Sequence, residues 1–132
     1  MRPVPLGQKG EFVLRVAPEH LANRFKDPML PPVFATPVMI LTMENAALNA
    51  IRDYLEPGES AVGTGVDVRH VAATPLGSRV TALAEVTRVE GRRIEFKVTA
   101  RDEVGEIGTG THRRVVIDYR RFVEQLAARA PR

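Results

Sequence analysis

Apolar positions along this chain change their period twice. From Thr36 to Leu55 (TPVMILTMENAALNAIRDYL) they recur at helical spacing, while elsewhere the patterned stretches alternate. The spacing predicts one long helix over Thr36–Leu55. Thr36 suits the N-cap because its hydroxyl can accept from the free amides of the first turn. Pro37 suits the next position, where a missing N–H costs nothing, and Glu56-Pro57-Gly58 closes the far end. On a helical wheel Thr42, Asn45, Asn49, Arg52 and Asp53 gather on a side expected to be wetter. Ile40, Leu41, Ala47, Leu48 and Ile51 gather on the other. Glu44 falls in the middle of that apolar group. A carboxylate there is costly to ionise unless it is paired, hydrogen-bonded or beside a solvent-filled pocket. It is therefore either a structural pair or snorkelling side chain, or the carboxylate of a site.

The alternating stretches predict strands. Glu11–Ala17 is short, with Phe12, Leu14 and Val16 in register. Ala61–Ala73 places Val62, Thr64, Val66, Val68 and His70 on one face, and Gly63, Gly65, Asp67 and Arg69 on the other. Ser78–Val89, Arg93–Arg101 and Ile107–Tyr119 follow, joined by turns at Thr74–Gly77, Glu90–Arg92 and Val104–Glu106. Arg120–Ala130 reads as a short helix or a fray. Between Pro18 and Pro32 the pattern is lost, which marks a lid-like loop or an irregular plug over the open end of a sheet. A single apolar helix followed by hairpin-linked strands predicts an α+β domain over 1–132, an antiparallel sheet curved round a helix: the hot-dog layout. Sheet edges of this kind often pair across a two-fold, so a homodimer is expected, with a dimer of dimers also open.

Composition narrows the classes. The 132 residues are 44% hydrophobic and 27% charged, which suits one globular domain. No apolar run is long enough for a membrane span, and MRPVPLGQKG lacks the apolar core of a secretory signal, so a cytoplasmic location is expected. With no Cys there is neither a disulfide nor a thiolate nucleophile. The net charge is +3 but only 5% of residues are aromatic, which argues against a stacking nucleic-acid binder. There is no phosphate loop. Gly63 and Gly65 lie within a strand, where they mark a bulge or a close backbone approach to a ligand.

Few side chains can carry bond chemistry. Of three histidines, His70 shares its face with Val66 and Val68, and packing helix on strand would let it converge with Glu44. A core histidine is the plain alternative. Thr36, beside free amides at the helix mouth, could help hold an oxyanion. A Thr, a Glu and a His at such a place suit acyl transfer or hydrolysis of an ester or thioester. A metal held by His70, His112 and Glu44 is the weaker drawing, since no short ligand spacing supports it.

The phrases VFATPVMILTMENAA, YLEPGE, VRHVAATPLG, VEGRR and EIGTGTHRR resemble the fluoroacetyl-CoA thioesterase family of hot-dog enzymes. The resemblance runs from about Val33 to Tyr119 and does not extend through 18–32. It implies hydrolysis of an acyl-CoA thioester by Thr36, Glu44 and His70, without metal or other cofactor, coenzyme A being part of the substrate. It also implies that Gly63 and Arg114 lie near the acyl group. The alternative is a non-catalytic acyl-CoA-binding or regulatory protein using the same pocket.

Overall fold

The computed structural model describes residues 1–131. Strand β1 (Lys9–Arg15) leads into a 3-10 turn at Pro18–His20, a single helical turn α1 (Ala22–Phe25) and the long helix α2 (Thr36–Ile51). A second 3-10 turn (Arg52–Tyr54) is followed by β2 (Glu59–His70), β3 (Arg79–Glu90), β4 (Arg93–Arg101), β5 (Glu106–Asp118) and α3 (Tyr119–Arg129). The five strands form one antiparallel sheet in the order β1-β3-β4-β5-β2, leaving β1 and β2 at its edges. The sheet curls round α2, which lies chiefly on β1 and β3.

Burial selects the inner face of each strand. Val80, Ala82, Ala84 and Val86 of β3 and Ile94, Phe96, Val98 and Ala100 of β4 are buried, and they meet Met39, Met43, Ala46 and Ala50 of α2. Removing a large side chain of this kind from water stabilises the fold by about 1.5–3 kcal/mol. Helix and sheet touch most closely at Gly10, where a Cβ would stand 2.2 Å from the Ala46 carbonyl oxygen. Next to it, the Asn49 side-chain amide donates to the Glu11 carbonyl at 2.9 Å. Only a residue without a side chain lets the backbones approach so far.

The helix differs from its sequence reading in three ways. It stops at Ile51, with the last turn tightened to 3-10. Its N-cap is Ala35, so Thr36 lies inside the first turn and caps nothing with its side chain. Its sheet-facing side is also different. Thr42, expected on the wetter side, is fully buried and its hydroxyl donates to the Met39 carbonyl at 2.6 Å. Leu41, expected inside, is 46% exposed. Alanines fix this choice: Ala46 and Ala50 allow the close contact with β1 that Ile40, Leu41 and Leu48 would obstruct.

Strand β2 carries a second correction. Its register against β5 shifts between Gly63 and Gly65, so Thr64 is an extra, bulged residue. Gly63 pairs with the buried Arg114, and Gly65 with the exposed Arg113. The bulge therefore turns Gly63 to the inner face that His70 also occupies, and Val62 leaves that face.

Candidate active site

The inner face near β2 holds two polar clusters. The first lies where α2 begins and β2 ends. Thr36 Oγ1 and His70 Nδ1 are 2.8 Å apart, and His70 Nε2 is buried without a partner among the described residues. Burial holds the His70 pKa below its ordinary value of 6.5, with the backbone of Ala72 acting in the opposite direction. A neutral imidazole at this distance can accept the threonine proton or hold the hydroxyl in place. The pair opens into a cleft of about 390 Å³, walled by Ala22, Lys26, Leu30, Pro31, Val33 and Val71 among others. The 18–32 segment thus forms one wall of the cleft. It is tied down by Leu21–Phe34 bridging and by the Ala35 amide donating to the His20 carbonyl at 2.9 Å.

The second cluster surrounds Gly63. A Cβ there would lie 2.9 Å from Glu44 Oε2, 3.4 Å from His112 Cε1 and 3.7 Å from Arg114 Nη1. Glycine is what leaves room for the Glu44 carboxylate against the strand. Arg114 is buried, donating through Nη2 to the Ala61 carbonyl at 2.7 Å, and its Nη1 is 3.9 Å from Glu44 Oε2. Glu44 itself is 39% exposed. Its apolar neighbours Ile40, Leu41 and Leu48 are partly or largely exposed too, so this stripe of α2 faces away from the core of its own chain.

The five residues singled out in the sequence thus fall into two groups, Thr36 with His70 and Glu44 with Gly63 and Arg114. Convergence of Glu44 and His70 within one chain does not occur. Seven residues of strand separate Gly63 from His70, roughly 20 Å at the usual rise. Thr36 and Glu44 are eight residues apart on the helix, about 12 Å along its axis. Sequence reasoning passed over His112, weighing it only as a metal ligand. The alternation of β5 carried the signal, because it places His112 and Arg114 on the same face. His20 accepts from the Ala17 amide at 2.9 Å and belongs to a turn rather than to either group. Among the described residues no three His, Asp or Glu side chains gather as a metal site would require.

A curled five-stranded antiparallel sheet round a long helix, with polar groups meeting a cleft at the helix start, defines a hot-dog protein of the thioesterase type. The model of the fluoroacetyl-CoA-specific thioesterase family, FlK, matches residues 16–120, and this chain belongs to that family as a thioester hydrolase. The match includes the 18–32 segment that the shorter sequence resemblance left out. Fluoroacetyl-CoA thioesterase of Streptantibioticus cattleyicolor is 48% identical over 101 residues, covering 76% of this chain and 73% of that protein. A solved structure of the fluoroacetyl-CoA thioesterase FlK superposes with a TM-score of 0.92 to 0.93 in the two forms compared. In the second of these the identity is 39%, over 98% of this chain and 99% of that one. A thioesterase superfamily member from Thermus thermophilus gives 0.89 at 37% identity, over 98% and 94%. Among the described residues no helix is long and apolar enough to cross a membrane.

Proposed function

We propose that the protein hydrolyses a short-chain acyl-CoA thioester to a carboxylate and free coenzyme A, fluoroacetyl-CoA being one candidate, through Thr36, Glu44 and His70 and without a metal. The observation that carries this reading is the Thr36–His70 pair at 2.8 Å on the floor of a cleft. Glu44 acts either as general base, taking a proton from the water that attacks the thioester carbonyl, or as nucleophile, forming an acyl anhydride that water then hydrolyses. In both routes the C–S bond breaks, and the proton the thiolate takes up comes in net from that water. Gly63 and Arg114 face the acyl group.

The working unit in this reading is a homodimer joined edge to edge along β2. Three features support it. The outer edge of β2 is unpaired in the chain. Val66 on that strand is 44% exposed and Leu41 on α2 is 46% exposed, apolar surface that a partner would cover. An antiparallel pairing of the two β2 strands about an axis through Asp67, with Thr64 bulged out of the ladder, sets Gly63 opposite the partner's His70. Each site then combines Glu44, Gly63 and Arg114 of one chain with Thr36 and His70 of the other. The otherwise unpartnered Nε2 of His70 gains a carboxylate neighbour.

Glu44→Gln tests the chemistry. The variant should lose turnover by a factor of about 10² or more while keeping affinity for acyl-CoA in calorimetry. If the parent binds acyl-CoA but turns none over across a series of acyl lengths, the protein is a binding module instead. A monomer by sedimentation at micromolar concentration would remove the composite site.

A further inference from the structure

His112 is 1% exposed, and both of its ring nitrogens are engaged. Nδ1 lies 2.8 Å from the Gly65 carbonyl oxygen, which can only accept, so Nδ1 carries the proton. Nε2 lies 3.0 Å from Arg114 Nη1, which can only donate, so Nε2 presents a lone pair. Both contacts are satisfied by one species alone, the neutral Nδ1–H tautomer. The ring is steadied by Phe96 of β4, stacked with centroids 5.9 Å apart. Arg114 is then held at two points, by Nε2 of His112 and by the Ala61 carbonyl. Its Nε has no partner among the described residues, and Nη1 lies 3.9 Å from the Glu44 carboxylate. That spacing is too long for a hydrogen bond, and Gly63 floors it.

We propose that His112 is a positioning residue for the hydrolysis: in its neutral Nδ1–H form it holds the Arg114 guanidinium beside Glu44 but short of a hydrogen bond, so that both charged groups stay available to the substrate. The inference rests on the hydrolase reading above and assigns His112 no contact with substrate. Without the lone pair at Nε2, the guanidinium would be free to move the remaining ångström onto Glu44 and turn the loose ion pair into a hydrogen-bonded one. The same happens if the ring takes a second proton, because Nε2 then becomes a donor facing a donor. The charged groups that face the ring are Arg114 from β5 and Glu44 from α2. From β4 and β2 its neighbours are uncharged: Phe96, Val66, Gly63 and the backbone of Gly65. Burial, with Arg114 adding to it, keeps the ring neutral, while the Gly65 carbonyl and Glu44 pull the other way.

The test compares His112→Phe and His112→Gln with the parent, measuring kcat and KM for acetyl-CoA and longer acyl-CoAs from pH 5 to 8, alongside melts. The glutamine carbonyl can accept from Arg114 and does not titrate. Phenylalanine should lower kcat/KM by about tenfold or more, the usual scale for a lost orienting partner. Glutamine should recover most of that loss and flatten part of the acid limb. Imidazole 15N spectra of the parent should show the Nδ1–H tautomer at neutral pH. A folded phenylalanine variant with parental kcat/KM, or an Nε2–H or doubly protonated ring at pH 7, would overturn the proposal. If His112→Phe does not fold, the glutamine variant and the spectra decide. A parent that hydrolyses no acyl-CoA breaks the hydrolase reading instead, and with it the role of His112 in hydrolysis. The spectra would then report only on the His112–Arg114 contact.

Discussion

His70 and His112 occupy the same inner face of the same sheet, on neighbouring strands, and burial depresses the pKa of both. What separates them is what each ring nitrogen meets. His112 spends one nitrogen on a backbone carbonyl and the other on a guanidinium, so nothing remains for a ligand. His70 spends one on the Thr36 hydroxyl, and its Nε2, beside a cleft, has no hydrogen-bond partner within normal geometry among the described residues. Burial and a shifted pKa therefore do not by themselves separate the two histidines; an uncommitted nitrogen at a cavity does. The two surroundings also differ in what they lack. The His70 side has no carboxylate, and the carboxylate beside the His112 side has no free imidazole.

That asymmetry yields the prediction with the largest effect. His70→Ala and Glu44→Gln should each fall by about 10² or more in turnover, with melts close to the parent. Mixed and refolded together, they should regain about a quarter of parental activity, since half the dimers are mixed and each of these carries one intact site. Activity that stays at the level of the single variants would place Glu44 and His70 in separate roles.

A smaller effect concerns pH and stability. Each imidazole titrates near 6.5 in the unfolded chain and lower in the folded one. Between the two values the unfolded state binds more protons, so stability rises with pH. The contribution is complete above about pH 6.5 and is lost as pH falls through the folded values. Melting temperature should decline by a few degrees from pH 7 toward pH 5, and His112→Gln should flatten the slope. A Tm independent of pH across that window would contradict the burial of both rings.

The smallest effect concerns coenzyme A. Its phosphates are expected to meet surface Arg or Lys, with Lys26 at the cleft and Arg88, Arg93 and Arg113 along a second cleft of about 450 Å³ as the candidates. Raising salt from low to physiological strength should increase the KM for acyl-CoA severalfold through screening. An unchanged KM would show that these side chains do not contact the phosphates.

Local pattern was enough to place α2, the strands and their order, though not the single turn α1 inside the 18–32 segment. The switch between helical and alternating periods located α2 and the strands, and β4 was legible to the residue because its alternation is unbroken. Local pattern also singled out Thr36, Glu44, His70 and Gly63, since a carboxylate among Ile40, Leu41 and Leu48, or a glycine inside a strand, is an anomaly it exposes; Arg114 came only with the family resemblance. Only the tertiary structure decided which way things face. The wheel could not show the inward side of α2, because that helix is apolar over most of its circumference and the choice was made by Ala46 and Ala50 fitting against Gly10. The faces of β2 were equally hidden. The bulged Thr64 shifts the period by one, and a bulge depends on pairing with β5, which lies more than forty residues along the chain. The grouping of Glu44 with Arg114 rather than His70 follows from that same long-range pairing.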